Sequence, residues 1–169
     1  MSEVEVWLRG PLPDYIDELQ PVAHSLLQVR EEVGRVVSLP SAQLWARPGG
    51  AASIGFHLKH LAGSLDRLLT YAGGKQLTAA QYDDLANEER ETSESAERLV
   101  HRAQAAIDRA LAHVRTTPLC TLDEVREVGR HRLPSTVLGL LFHAAEHAQR
   151  HSAQIITTAK VISGNRVIE

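Results

Sequence analysis

The 169-residue chain is poor in cysteine and in aromatic residues. The single cysteine, Cys120, excludes an internal disulfide framework. Phe, Trp and Tyr make up only 4% of the residues, and Ala, Leu and Val dominate the apolar set. This composition favours closely packed helices over sheets, which are richer in aromatic and β-branched residues. Because no convincing pair of strands stands out either, we expect an all-α protein.

The chain also has no excess of positive charge. It contains 18 Lys and Arg residues and 21 Asp and Glu residues, which gives a net charge of −3. This balance argues against a surface for nucleic acid or for an anionic membrane. The apolar run "STVLGLLFHAA" is interrupted by a histidine before it reaches membrane-spanning length. The N-terminal "MSEVEVWLRG" lacks the basic-then-apolar layout of a signal peptide. We therefore predict a cytoplasmic protein with neither a nucleic-acid nor a membrane partner.

Four long segments carry apolar residues at the three-and-four spacing of an amphipathic helix. These segments span approximately residues 13–37, 51–72, 95–115 and 135–161. Residues suited to cap their first turns stand at the starts of the last three: Ser53, Ser93 or Ser95, and Ser135. Four amphipathic helices predict a four-helix bundle over a single domain, 1–169, with residues 1–12 and 163–169 loosely attached.

The predicted connections differ in length. The polar stretch between the second and third helices is long for antiparallel neighbours, and it permits a crossover. It is expected to hold one short helix near 79–86. In the next connection "EVREV", 124–128, alternates and is consistent with a short extended piece. Asp66 and Arg67 on the second helix are interpreted as surface or interhelical charges.

Histidine is the abundant functional residue, with nine copies, five of them in the clusters 57/60 and 143/147/151. The neutral imidazole is the commonest metal ligand among side chains. On a helical wheel, His147 and His151 lie near the apolar face, one turn apart, and His143 lies at its boundary. The wheel mildly prefers His57 to His60 on the second helix, but periodicity does not decide between them. An isolated histidine is more often structural, and it is the two clusters together that favour a metal site.

A rival motif overlaps the second cluster, because "HAAEH", 143–147, matches an inverted zinc-protease pattern. Such proteases need a further carboxylate ligand well downstream, and the only later acid is Glu169. The wheel also places Glu146 opposite the apolar stripe. We therefore give this motif little weight.

Two segments resemble the signature segments of the DinB/YfiT-like superfamily of metalloenzymes: "HLAGSLDRLLTY" from His60 and "HAQRHSAQI" from His147. Matched residue by residue, His60, His147 and His151 take the positions of the family's metal ligands. Gln154 takes the position of the glutamine that follows them. Ser152-Ala153 departs from the usual Arg-Gly in the family pattern.

The resemblance implies a four-helix bundle with an up-down-down-up course and frequent homodimers. It also implies a divalent metal, usually zinc or nickel, on three histidines, although three imidazoles would suit iron or manganese as well. Some branches of the family use a low-molecular-weight thiol. His57, His143 and Gln154 would flank the ligands and support them.

We accordingly expect a metal-dependent transferase or hydrolase. Its metal would activate a water or a low-molecular-weight thiol for transfer to, or hydrolysis of, a small electrophilic substrate. The alternative is a non-catalytic dimeric helical bundle with a structural or vestigial metal site.

Overall fold

A computed structural model describes residues 4–164, which are mostly helical, as the composition predicts. The helices are α1 (Gln20–Val33), α2 (Ser41–Leu44), α3 (Ile54–Ala72), α4 (Ala79–Ala86), α5 (Ala96–Thr116) and α6 (Val137–Ile162). Two short strands, β1 (Val125–Val128) and β2 (Leu133–Thr136), lie between α5 and α6. Within the described range, no helix combines the length and apolar character that crossing a membrane requires.

The four long helices enclose an aliphatic core. Both α1 and α3 pack against α5 and α6. Among the largest fully buried side chains are Leu26, Leu58, Leu61, Leu99, Ile107, Leu141 and Ile155. Because the core is built from Leu, Ile, Val and Ala, the helices approach closely, and α3 and α6 bring their histidine-bearing turns together.

The ends of the long helices differ modestly from the predicted ends. The regular part of the first helix is Gln20–Val33, extended by 3-10 turns at Asp17–Leu19 and Gly34–Val36. Pro21 stands in its first turn, where a missing N–H costs no helical hydrogen bond. The short helix expected near 79–86 is present as α4. Ser53 caps α3 by accepting a hydrogen bond from the Phe56 N–H at 3.1 Å.

The expectation that no strand pair is present is wrong. β1, which lies within the predicted extended piece 124–128, pairs antiparallel with β2, so that Val125 lies opposite Thr136 and Val128 opposite Leu133. The second strand escaped detection because it contains a proline, Pro134, which a strand tolerates only where its missing N–H is not needed, as at a sheet edge. Gly129 and Arg132 lie in the turn between the strands, both with positive φ.

The structure describes only part of the two terminal segments, 1–12 and 163–169. Residues 1–3 and 165–169, for which loose attachment is expected, lie outside the described residues. Val6 lies in the described part of the N-terminal segment and is 1% exposed. Its backbone N–H donates to Gln28 Oε1 at 3.0 Å, so this part of the segment contacts α1.

The cap of α6 is one residue later than predicted, since Thr136 Oγ1 accepts the Gly139 N–H at 3.0 Å. Ser135 instead pairs with Arg126 in the hairpin. We expect Thr136→Ala to lower the free energy of unfolding by about 1 kcal/mol, because it leaves a first-turn N–H without its acceptor. The matched change Ser135→Ala should alter it by less than about 0.5 kcal/mol. Urea unfolding of both variants measures the difference, and a larger loss in Ser135→Ala would contradict the assignment.

Candidate metal centre

Three histidines from α3 and α6 converge between the two helices. Each of His60, His147 and His151 offers one ring nitrogen within 4.8 Å of the nitrogens of the other two. Nε2 of His60 lies 2.9 Å from Nε2 of His147. The ring centroid of His151 lies 4.5 Å from the centroids of both other rings. The structure thus brings together the three residues that the family resemblance selects.

The far side of the His60 ring contacts a buried carboxylate that the sequence did not reveal. Nδ1 of His60 lies 2.6 Å from Oε2 of Glu88, and Glu88 is 4% exposed. Because a carboxylate only accepts hydrogen bonds, the His60 proton belongs on Nδ1. The lone pair of Nε2 then faces His147. This carboxylate–histidine arrangement is the one that usually supports a metal-ligating imidazole.

Arg67 completes this interaction, because its Nη1 donates to Oε1 of Glu88 at 2.6 Å. Of the two alternatives for Arg67, a surface or an interhelical charge, the first is wrong, because Arg67 is only 8% exposed; its partner Glu88 lies just after α4. Gly63 leaves room for the pair: a Cβ at this position would collide with Oε1 of Glu88 and lie 2.7 Å from Arg67 Nη1. A glycine inside a helix is a weak sequence sign of such a close approach.

A lysine on α3 fixes the segment that carries Glu88. Lys59 Nζ donates to the backbone carbonyls of Asn87, at 2.6 Å, and Arg90, at 2.7 Å. The connection that follows α4 is therefore held against α3 by Lys59 and Arg67 and by the ring of His60. No spacing rule exposes Glu88, since it lies among other acids in "NEERETSES".

His57 lies beside the three histidines. It is 4% exposed, and its Nδ1 lies 2.8 Å from Nδ1 of His151. One of these two nitrogens carries the shared hydrogen. Among the described residues, His57 Nε2 and His147 Nδ1 are buried without a hydrogen-bond partner. Each of these two imidazoles therefore has one buried ring nitrogen that no protein group in the described part of the chain pairs.

The other two flanking candidates are farther from the cluster. His143 contacts His147 with ring centroids 5.4 Å apart, but its side chain is 49% exposed. Gln154 is exposed and lines a different cavity, together with Arg150 and Thr157. Glu146 lies on the outer side of α6 and pairs with Arg150 at 2.6 Å. The hydrogen bond from Arg150 lowers the pKa of this carboxyl. The Glu146 side chain is 36% exposed, which agrees with the solvent side that the wheel predicts.

Burial keeps several of these imidazoles neutral. Loss of solvent, reinforced by the charges of neighbouring histidines, lowers the pKa of His57 to about 4, that of His147 to about 4 and that of His151 to about 3. The charges of His60 and Arg150 lower the pKa values of His147 and His151 further. A neutral imidazole offers a lone pair, which is the form that binds metal. The donor set therefore fits a divalent cation that accepts nitrogen ligands.

A family model described as the DinB superfamily matches residues 25–155. The match includes α3 and α5 and the part of α6 that carries His147 and His151. A search of curated proteins finds no match to the chain.

The buried ion pair provides the first test of the site. We expect Glu88→Ala to lower the free energy of unfolding by about 3–5 kcal/mol, because Arg67 would remain buried without its partner. Glu94 forms an i,i+4 pair with Arg98, whose side chain is 77% exposed, and Glu94→Ala should cost less than about 1 kcal/mol. Urea unfolding of the metal-free variants measures both. Equal losses would show that Glu88 is no more than a surface acid.

The lowered histidine pKa values predict a pH dependence of the metal-free protein. Unfolded histidines protonate near pH 6.5, whereas His57, His147 and His151 resist protonation down to about 4, 4 and 3. Between pH 7 and 5 the unfolded state therefore binds more protons, and stability must fall with the pH. The urea midpoint should drop from pH 7.5 to pH 5.0 in the presence of a chelator. The exposed control His101→Gln should show the same drop, and a constant midpoint in the unsubstituted protein would refute the burial effect.

Proposed function

The chain belongs to the DinB superfamily, and we propose that it is a metal-dependent enzyme whose divalent cation is held by His60, His147 and His151. The observation that carries this proposal is the convergence of their ring nitrogens within 4.8 Å. Zinc or nickel is the proposed metal, and iron or manganese would suit the same three imidazoles. Such a cation supplies Lewis acidity, which lowers the pKa of a bound water or thiol and so yields a nucleophile.

The protein's own residues prepare the ligands. Glu88 accepts the Nδ1 proton of His60, which keeps the opposite nitrogen free of hydrogen. Arg67 compensates the buried carboxylate. The ring of Phe56 stacks on His60, with centroids 5.4 Å apart and planes inclined by 18°. These contacts limit rotation of the His60 ring, so less order has to be gained when a ligand binds.

The proposed reaction is transfer to, or hydrolysis of, a small electrophilic substrate, with a water or a low-molecular-weight thiol as the nucleophile. A cavity of about 360 Å³ adjoins His60 and His147, and it supports a catalytic role because a structural zinc site is normally closed by protein ligands. His57 and His143 are proposed to support the ligands or move protons. Gln154 lies farther away, and its proposed role rests on the family pattern alone.

One observation favours the alternative of a non-catalytic dimeric bundle with a structural or vestigial metal. His57 is a fourth imidazole beside the three, hydrogen-bonded through Nδ1 to Nδ1 of His151 at 2.8 Å, and exchange of this hydrogen bond for a bond to the metal would close the coordination shell. The variant His57→Ala separates the two functions. A catalytic site of three histidines retains its metal in this variant, whereas a closed site of four loses it.

The arrangement of the whole chain is proposed as well. Packing of α1 and α3 against both α5 and α6 supports a four-helix bundle, with the up-down-down-up course that the family implies. The family also supports a homodimer. The acidic balance of the chain supports a cytoplasmic protein that binds a small molecule rather than nucleic acid.

Metal content tests the proposed function directly. We expect close to one divalent ion per chain in the unsubstituted protein, measured by elemental analysis, and loss of most of it in His147→Ala/His151→Ala because two of three ligands are removed. The matched control is His101→Ala/His131→Ala, in which both histidines are exposed and the metal should stay. Stoichiometric metal in the first double variant would refute the assignment. A thermal-shift screen of the loaded protein against low-molecular-weight thiols then tests the nucleophile.

A further inference from the structure

The cavity beside His60 and His147 is enclosed by segments outside the helical core as well as by the helices. Its volume is about 360 Å³, a size that suits a small molecule. One wall comes from α3 and α6, which carry the histidines. The opposite wall comes from α4 and from the β1–β2 turn, which contributes Gly129 and Arg130. Each of these four segments places side chains within reach of one bound molecule.

Most of the lining is apolar or aromatic. Leu68, Leu77 and Leu85 contribute aliphatic surface, and Tyr71 and Tyr82 contribute rings. Leu85 is 42% exposed. An apolar molecule in the cavity would cover this exposed surface, and its removal from water would favour binding.

The charges at the cavity have a single sign. No Asp or Glu stands among the described residues that line it, whereas Arg67 and Arg130 both do. Arg67 already pairs with Glu88. Arg130 has no carboxylate partner within residues 4–164, and its guanidinium lies over the Tyr82 ring, 4.9 Å from the centroid. Stacking of this kind keeps the guanidinium at the cavity while leaving its N–H groups free to donate.

Another arginine of the same turn provides a contrast. Arg132 is two residues further along the β1–β2 turn, and it forms an ion pair with Glu127, in which its Nε lies 2.8 Å from Oε2. Its charge is compensated locally, and it does not line the cavity. Arg132 therefore serves as a matched control for Arg130: it lies in the same turn, but it is paired and away from the cavity.

We propose that this cavity binds a small organic acid, with its apolar body against the Leu and Tyr side chains and its carboxylate paired with Arg130. The planar guanidinium matches the two oxygens of a carboxylate. The other end of the molecule lies at His60 and His147. This inference rests on the proposed function for the reaction at that end, but recognition of the carboxylate by Arg130 requires no metal.

The experiment compares phenylacetate with its neutral analogue phenylacetamide by isothermal titration calorimetry, using metal-loaded and metal-free protein. We expect the acid to bind at least about tenfold more tightly than the amide in both forms, because a charge-assisted pair replaces a neutral hydrogen bond. Arg130→Gln should abolish this preference. The matched control Arg132→Gln should retain it, and unchanged thermal unfolding of both variants verifies that they fold.

Each outcome of the titrations tests recognition of the carboxylate by Arg130 separately from the proposal that the histidines hold a metal. Equal binding of acid and amide, or a preference that survives in Arg130→Gln, overturns the inference. A preference that needs the metal and is insensitive to Arg130 also overturns it, because the carboxylate would then bind at the histidines, as the proposed function allows. An Arg130-dependent preference in a protein that holds no stoichiometric metal upholds the inference while the proposed function fails.

Discussion

The buried carboxylate of Glu88 is the constraint on which the candidate metal centre depends. At 4% exposure, a carboxylate loses nearly all of its hydration and is stable only if donors replace the lost water. His60 and Arg67 supply these donors from two turns of α3, at 2.6 Å each. Gly63 lies between them, and its missing side chain is the space that the carboxylate occupies.

This interaction determines what the histidines present to each other. With its proton directed to Glu88, His60 offers a lone pair toward His147, across the contact between α3 and α6. The neutral state of His147 and His151 follows from their burial, which lowers the pKa of each ring. The aliphatic core holds the two helices at the spacing at which these rings meet. The contacts of Glu88 therefore belong both to the packing of the protein and to the orientation of His60 in the candidate metal centre.

Helical periodicity was sufficient to predict the four long helices and the inward pair His147 and His151, because both are properties of one amphipathic segment. It was not sufficient for His60. A wheel reports the direction of a side chain around its own axis, and the choice between His57 and His60 depends on where α6 lies; only the family pattern selected His60. The role of Glu88 could not be predicted from the sequence for a related reason, because it depends on contacts with Arg67 and Gly63, which lie on α3. The hairpin was missed because Pro134 weakens the strand pattern of β2.

The segments that sequence reasoning treated as connections provide the cavity wall opposite the histidines. Helix α4 has no buried residue, and Arg130 is exposed on the hairpin turn. Substitutions at these positions therefore disturb little of the hydrophobic core, whereas they directly change the lining of the cavity. The histidines, by contrast, are constrained by packing between α3 and α6, and Glu88 is constrained by its contacts with His60 and Arg67 on α3. The three converging histidines and the side chains of the facing cavity wall therefore lie in different parts of the chain, so the wall can change in sequence while the histidine cluster is kept, which is how one fold can carry different functions.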